Sequence, residues 1–287
     1  MADDGAPRGD EDPDLIEPSI FAEHAAEIEG ASADSRRRRG IYLFPNLITT
    51  GALFAGFYAI VAGMNDNFVP AALAIFVAMA LDTADGRVAR WTKTESRFGA
   101  EYDSLSDMVA FGVAPALVVF SWVLQPLGQI GWIATFVYMA CAALRLARFN
   151  TQSDIKSFTG LASPSAAAVI ACIVWIWSDP ETEPSTALAI VMALVTTAVG
   201  LLMVSNFAYF SPKALSAKGR VPFIVLVIAV LAFAVLLADP PRVLLVLFVT
   251  YALSGPASHL WYYWRKRHAQ RQPPAVAPEG DDGTPPQ

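Results

Sequence analysis

The stretch VPAALAIFVAMALDTADGRVAR, residues 69–90, decides how this chain is to be read. Its first half, Val69 to Leu81, carries no polar side chain. Its second half sets Asp82, Asp85, Arg87 and Arg90 on the continuation of the same segment. A helix that crosses a bilayer needs about 20 mainly apolar residues. Residues 69–89 fill that length, with every charge gathered at one end. Acids inside a membrane helix are expensive and by default mark a functional site.

Outward from this segment, apolar runs of the same kind recur. They are Ile41–Gly63, Val69–Ala89, Ser104–Leu124, Ile130–Ala147, Pro164–Trp177, Thr186–Phe207, Val221–Ala238 and Val243–Tyr263. Together they predict an all-α polytopic membrane helix bundle with about eight transmembrane helices. The composition agrees: 55% of the 287 residues are hydrophobic and 16% charged, where a soluble domain carries about a quarter charged residues. Cys141 and Cys172 both sit in apolar runs and read as small apolar filler. Trp122, Trp132, Trp175, Trp177 and Trp261 fall near helix ends, where interfacial aromatics are expected.

The net charge of −6 divides sharply along the chain. Residues 1–35 carry −10, residues 272–287 carry −3, and residues 36–271 carry +7. Two acidic tails without enough apolar surface to fold therefore flank a basic, apolar body. An acidic start, with the first apolar run far from residue 1, predicts no cleaved signal peptide. Lys and Arg gather on cytoplasmic loops. With both termini placed in the cytoplasm, 19 of the 20 basic residues fall on that side and only Arg242 falls opposite. The four-arginine run Arg36–Arg39 reads as an orientation and anionic-lipid signal, with no nucleic-acid partner.

The acids of the body cluster on two of the spans. Asp82 and Asp85 are three apart, and Asp103 and Asp107 four apart, so each pair shares a helix face. The short connection Trp91–Phe98 predicts antiparallel neighbours with both pairs at one depth. Four converging carboxylates require cations, and an all-oxygen set without His or Cys selects hard ions such as Mg²⁺, Mn²⁺ or Ca²⁺. Four acids suffice for two ions, the arrangement that clamps attacking and leaving oxygens at phosphorus. Gly86 and Ala89 leave room beside the acids, and Arg87 and Arg90 add positive charge for phosphate oxygens. The competing structural reading is ion pairing of the acids with Arg87, Arg90 and Arg97.

The spacing Asp-x2-Asp-Gly-x2-Ala-Arg-x8-Gly-x3-Asp-x3-Asp, filled by Asp82, Asp85, Gly86, Ala89, Arg90, Gly99, Asp103 and Asp107, resembles the signature of the CDP-alcohol phosphotransferase family. The resemblance covers about residues 41 to 265. It implies a membrane enzyme that displaces CMP from a CDP-linked lipid or alcohol with divalent metal, Mg²⁺ or Mn²⁺, as two ions. It further implies that Asp82, Asp85 and Asp103 are metal ligands. Asp107 would be a metal ligand and the base for the acceptor hydroxyl. Gly86, Ala89 and Arg90 would lie along the CDP group, and the enzyme would be a homodimer.

Three further stretches resemble the branch of that family whose donor is CDP-diacylglycerol and whose acceptor is L-serine. They are Leu144–Asn150, Phe158–Ala168 and Ser205–Lys213. That branch often carries Pro and Arg where this chain has Ala162 and Asn206. Arg145, Arg148 and Lys213 are cations suited to a carboxylate or phosphate, or equally anchors to lipid headgroups. Asn46 and Thr49 either line the nucleotide site or cap the first span. The resemblance implies a bacterial inner-membrane enzyme, in contact with membrane lipids, with its site facing the cytoplasm. Glycerol phosphate, inositol phosphate or choline as acceptor, or a cation-coupled transporter, are the alternatives.

Overall fold

The computed structural model describes residues 45–92, 96–151, 159–178, 184–207, 209 and 223–269. The tails 1–35 and 272–287, Arg36–Arg39 and Lys213 lie outside these residues. Eight helices match the eight expected runs one for one: α1 Pro45–Met64, α2 Phe68–Thr92, α3 Arg97–Leu127, α4 Gln129–Thr151, α5 Ser163–Trp177, α6 Thr186–Val204, α7 Phe223–Ala238 and α8 Pro240–Ala269. Six of them are long and apolar enough to cross a membrane. The exceptions are α5 and α7, with 15 and 16 residues. At 1.5 Å per residue they reach only about 25 Å, against a hydrocarbon core of about 30 Å.

The start of α3 differs from expectation. It begins at Arg97 instead of Ser104, because Ser96 caps it: the extended Ser96 accepts the Gly99 N–H on its Oγ at 3.0 Å. The cap adds about two turns ahead of Ser104 and carries Asp103 on the same helix as Asp107, as their shared face requires.

The core is built on α3, which packs against α2, α4, α5 and α6, while α4 packs closely on α6 and α5 on both α2 and α8. Contact between apolar helices in lipid comes from close packing, which favours small residues. Ala52, Ala55, Ala59 and Ala62 form the buried face of α1, and Phe54, Phe57, Tyr58 and Met64 its exposed face. At Gly56 a Cβ would come within 2.8 Å of the Ala110 Cα, and at Gly200 within 2.9 Å of the Tyr138 Cα. α7 packs on α8 and is exposed along most of its length. Cys141 and Cys172 are buried and unpaired, as small filler should be.

Trp122 departs from the interfacial expectation. It is buried, and Trp175 is half-buried against Phe76 at 6.0 Å between ring centroids. Trp122 sits in a π turn, Phe120–Leu124, that packs on α4 and α6, so the indole faces protein instead of the interface. Trp132, Trp177 and Trp261 are exposed.

Two prolines inside helices each leave a carbonyl without its partner four residues on. Pro115 frees the Phe111 carbonyl, and the helix widens into a π turn over Met108–Val113, with the Ala114 N–H reaching back to the Val109 carbonyl. Such a turn is how a helix absorbs a disruption to its ladder. The fully buried Tyr138 donates its hydroxyl to the Phe111 carbonyl at 3.0 Å. In α8, Pro256 frees the Ala252 carbonyl, and Tyr209 donates to it at 3.0 Å.

Candidate metal centre and adjoining pockets

Asp82 and Asp85 leave the last turns of α2, and Asp103 and Asp107 the first turns of α3, so the antiparallel pair brings all four to one end of the bundle. One oxygen from each of Asp82, Asp85 and Asp103 lies within 4.8 Å of the other two. Asp107 is one turn deeper on α3 and in electrostatic range of Asp82 and Asp103. Carboxylates this close repel unless positive charge lies among them.

The surrounding arginines do not supply that charge. Arg87 and Arg90 are exposed. Among the described residues the one ion pair joins Arg242 to Asp239, and none links the aspartates to Arg87, Arg90 or Arg97. The donor set is oxygen-only, compact and partly buried, which fits a hard divalent cation and not zinc.

α1 holds the other side of this end. The buried Thr49 donates its hydroxyl to Asp85 Oδ2 at 2.7 Å, which fixes that carboxylate. Ser106 donates to the Thr49 carbonyl at 3.2 Å, and the Thr50 and Tyr102 hydroxyls pair at 2.9 Å. Thr49 therefore bonds across to α2 in addition to the Pro45 carbonyl of its own helix.

A cavity of about 270 Å³ opens between α1, α2 and α3. Asn46, Thr49, Gly86, Ala89 and Arg90 all line it, together with Asp85, Asp103, Ser96, Gly99 and Ala100. A Cβ at Gly86 would meet nothing within 4 Å. That glycine is therefore not required by packing. It leaves the α2 backbone open beside the aspartates.

The cationic residues stand on the other side of the aspartates. Arg145 on α4 is half-buried. Its Nη1 donates to the fully buried Ser163 Oγ at 2.8 Å, and its guanidinium is in electrostatic range of Asp107 and of Tyr251 on α8. Its Nε is buried with no hydrogen-bond partner among the described residues. Arg148 is anchored separately, its Nη1 donating to Asn206 Oδ1 at 2.9 Å. The Gly160 N–H donates to the Phe207 carbonyl at 2.9 Å and ties the approach to α5 onto the end of α6. Gly160 has φ +85°, and a Cβ there would fall 2.2 Å from the Met203 carbonyl oxygen. Only glycine fits both demands.

Tyr209 and Tyr251 pack at 5.4 Å between ring centroids. Burial first, and Tyr251 beside it, push the Tyr209 phenol up to about 12, so it stays a hydrogen-bond donor. Ser163 and Tyr209 lie within the stretches Phe158–Ala168 and Ser205–Lys213, and Tyr251 lies in none of the motifs. Pro256, within an apolar run, is the one sequence signal that a donor such as Tyr209 is needed.

A polytopic helical bundle with an oxygen-only carboxylate cluster beside an open cavity defines a class of membrane protein built to hold a divalent cation against a polar ligand. The sequence model of the CDP-alcohol phosphatidyltransferase family matches residues 42–202, and the chain belongs to that family. Its relatives are more particular. A CDP-diacylglycerol–serine O-phosphatidyltransferase of Helicobacter pylori (strain ATCC 700392 / 26695) is 38% identical over 197 residues, 67% of this chain and 82% of the relative. Proteins of the same name from Bacillus subtilis (strain 168) and Mycobacterium tuberculosis (strain ATCC 25618 / H37Rv) are 34% identical over 166 residues and 39% over 142. These cover 58% and 46% of this chain, and 88% and 49% of the relatives.

Proposed function

We propose that this protein transfers the phosphatidyl group of CDP-diacylglycerol to the hydroxyl of L-serine, forming phosphatidylserine and releasing CMP. The observation that carries this reading is the triangle of Asp82, Asp85 and Asp103 oxygens beside a cavity that the Gly86 backbone leaves open. The names of the relatives support the choice of donor and acceptor.

Asp82, Asp85, Asp103 and Asp107 would hold divalent cation, as two Mg²⁺ or Mn²⁺ ions. Bound metal supplies charge neutralisation to a diphosphate and to the leaving phosphate. The rest falls to the chain. Asn46, Thr49, Gly86, Ala89 and Arg90 line the space for the CDP group. Asp107, deepest of the four and nearest the cationic side, takes the proton of the serine hydroxyl. The serine oxygen bonds to the phosphorus that carries diacylglycerol, and the bond from that phosphorus to the oxygen bridging to CMP breaks. Arg145, Arg148 and Lys213 are the cations proposed for the acceptor carboxylate or a phosphate.

The distribution of Lys and Arg supports cytoplasmic termini and a site facing the cytoplasm of the bacterial inner membrane. Assembly as a homodimer belongs to the same reading and rests on the family resemblance. The test is CMP release from CDP-diacylglycerol by the purified chain in detergent, with labelled L-serine followed into lipid. Release that needs no serine, or lipid labelling unaffected by EDTA, overturns the assignment.

A further inference from the structure

Tyr251 is a polar group on α8 that the reading above leaves without a role. Its ring is held in place by Tyr209, which donates to the Ala252 carbonyl left free by Pro256. Gly255 makes this possible, because a Cβ there would fall 2.4 Å from the Tyr209 Cζ. The Tyr209 ring therefore sits flat against α8 beside Tyr251. Tyr251 in turn has its side chain in electrostatic range of Arg145.

Four helices thus gather one polar side chain each around the Arg145 guanidinium: Asp107 from α3, Arg145 itself from α4, Ser163 from α5 and Tyr251 from α8. Two donors among them are unengaged. The Arg145 Nε has no hydrogen-bond partner among the described residues, and neither has the Tyr251 hydroxyl; the two are not bonded to each other. Ser163 occupies Nη1, which fixes the plane of the guanidinium and leaves its other edge free. A fixed guanidinium edge matches the two oxygens of a carboxylate, and a neutral hydroxyl beside it adds a donor without adding charge.

We propose that Tyr251 determines acceptor specificity, its hydroxyl sharing with Arg145 the carboxylate of an amino-acid acceptor whose hydroxyl faces Asp107. This rests on the serine reading given above. The arrangement discriminates by leaving the buried Arg145 Nε unpaired when the acceptor lacks a carboxylate.

The experiment compares L-serine with ethanolamine, which has the same hydroxyl and amine and no carboxylate, using one CDP-diacylglycerol in detergent. Tyr251→Phe keeps the ring packed on Tyr209. The KM for L-serine is expected to rise about tenfold, the scale of one hydrogen bond to a charged group. The KM for CDP-diacylglycerol stays put, and the preference for serine over ethanolamine falls by the same factor as the serine KM rises. Arg145→Lys keeps the charge, loses the Nε edge and shifts the preference in the same direction. A merely structural role would lower kcat or the melting temperature and leave the acceptor preference intact. An unchanged serine KM and preference in Tyr251→Phe, with wild-type protein active on serine, overturns this inference alone. Wild-type protein that releases no CMP with serine overturns the parent reading and this one with it.

Discussion

On α2 and α3, four carboxylates stand close together, and the two helices line the cavity beside them with small residues: Gly86, Ala89, Gly99 and Ala100. On α4, α5 and α8 the polar groups come one from each helix, and the surroundings are large: Phe207, Tyr209, Tyr251 and His259. The first region is open and strongly charged, and among the described residues no ion pair joins its carboxylates to an arginine. The second is tied down by hydrogen bonds from Arg145 to Ser163, Arg148 to Asn206 and Tyr209 to Ala252. The difference is one of task. A metal and a diphosphate bring their own binding energy and need room. A small acceptor brings few contacts, so its side of the pocket must be fixed beforehand.

The contrast breaks most visibly at the aspartates. Asp107→Asn should lower CMP release by at least about a thousandfold, since it removes both a proton acceptor and a charged oxygen. Thermal unfolding in detergent should change little, because the substitution relieves repulsion among the acids. EDTA should abolish turnover, and Mg²⁺ or Mn²⁺ should restore it. Wild-type turnover in Asp107→Asn would assign the proton to another group. On the opposite side Arg148→Ala should cost only about tenfold, expressed in the KM for serine, because one of several cations is lost.

Stability reverses the order of the two regions. Tyr138→Phe leaves the Phe111 carbonyl buried and unpaired, and should destabilise the protein by about 1–3 kcal/mol. Denaturation in detergent reads this directly. The activity of the folded fraction should be retained, because Tyr138 touches no group of the pocket. An unchanged melting temperature would mean that the π turn of α3 satisfies that carbonyl by itself.

Two glycines sharpen the same contrast within one end of the bundle. Gly56→Ala drives a methyl to 2.8 Å from the Ala110 Cα and should destabilise the protein by about 1–3 kcal/mol through overpacking. Gly86→Ala projects into open cavity. It should leave stability alone and raise the KM for CDP-diacylglycerol about tenfold, about 1.4 kcal/mol of lost binding. Equal effects of the two on melting temperature would show that Gly86 serves packing instead of the ligand.

The two regions also differ in how far they could be read from sequence. Asp82, Asp85, Asp103 and Asp107 lie on two adjacent helices joined by a short connection, so helical periodicity alone brings them together. The eight helices were legible for the same reason, since each is a local apolar run. The start of α3 was not, because a serine cap overrode the apolar pattern. Arg145, Ser163 and Tyr251 lie on three helices far apart in the chain. Their meeting depends on how α4, α5 and α8 cross, and that is set by packing of small residues that periodicity does not encode. Pro256 announces a free carbonyl, but nothing local says that Tyr209 answers it.

The smallest expected effect lies at the far end of the bundle. Arg242, the one basic residue placed opposite the others by the charge pattern, pairs with Asp239 at 2.5 Å. The side chains are 72% and 34% exposed, so solvent screens the attraction. Asp239 also accepts the Arg242 N–H at 3.4 Å near the start of α8, a weak cap. Asp239→Asn keeps a capping oxygen and removes only the charge. It should therefore change stability by less than about 0.5 kcal/mol, the usual scale of an exposed pair, and leave turnover and both KM values as they are. Raising the salt concentration should erase even that difference, because an exposed pair is screened. A loss of activity in Asp239→Asn would contradict the separation of the two ends, since it would couple the outer surface to a pocket a full helix length away.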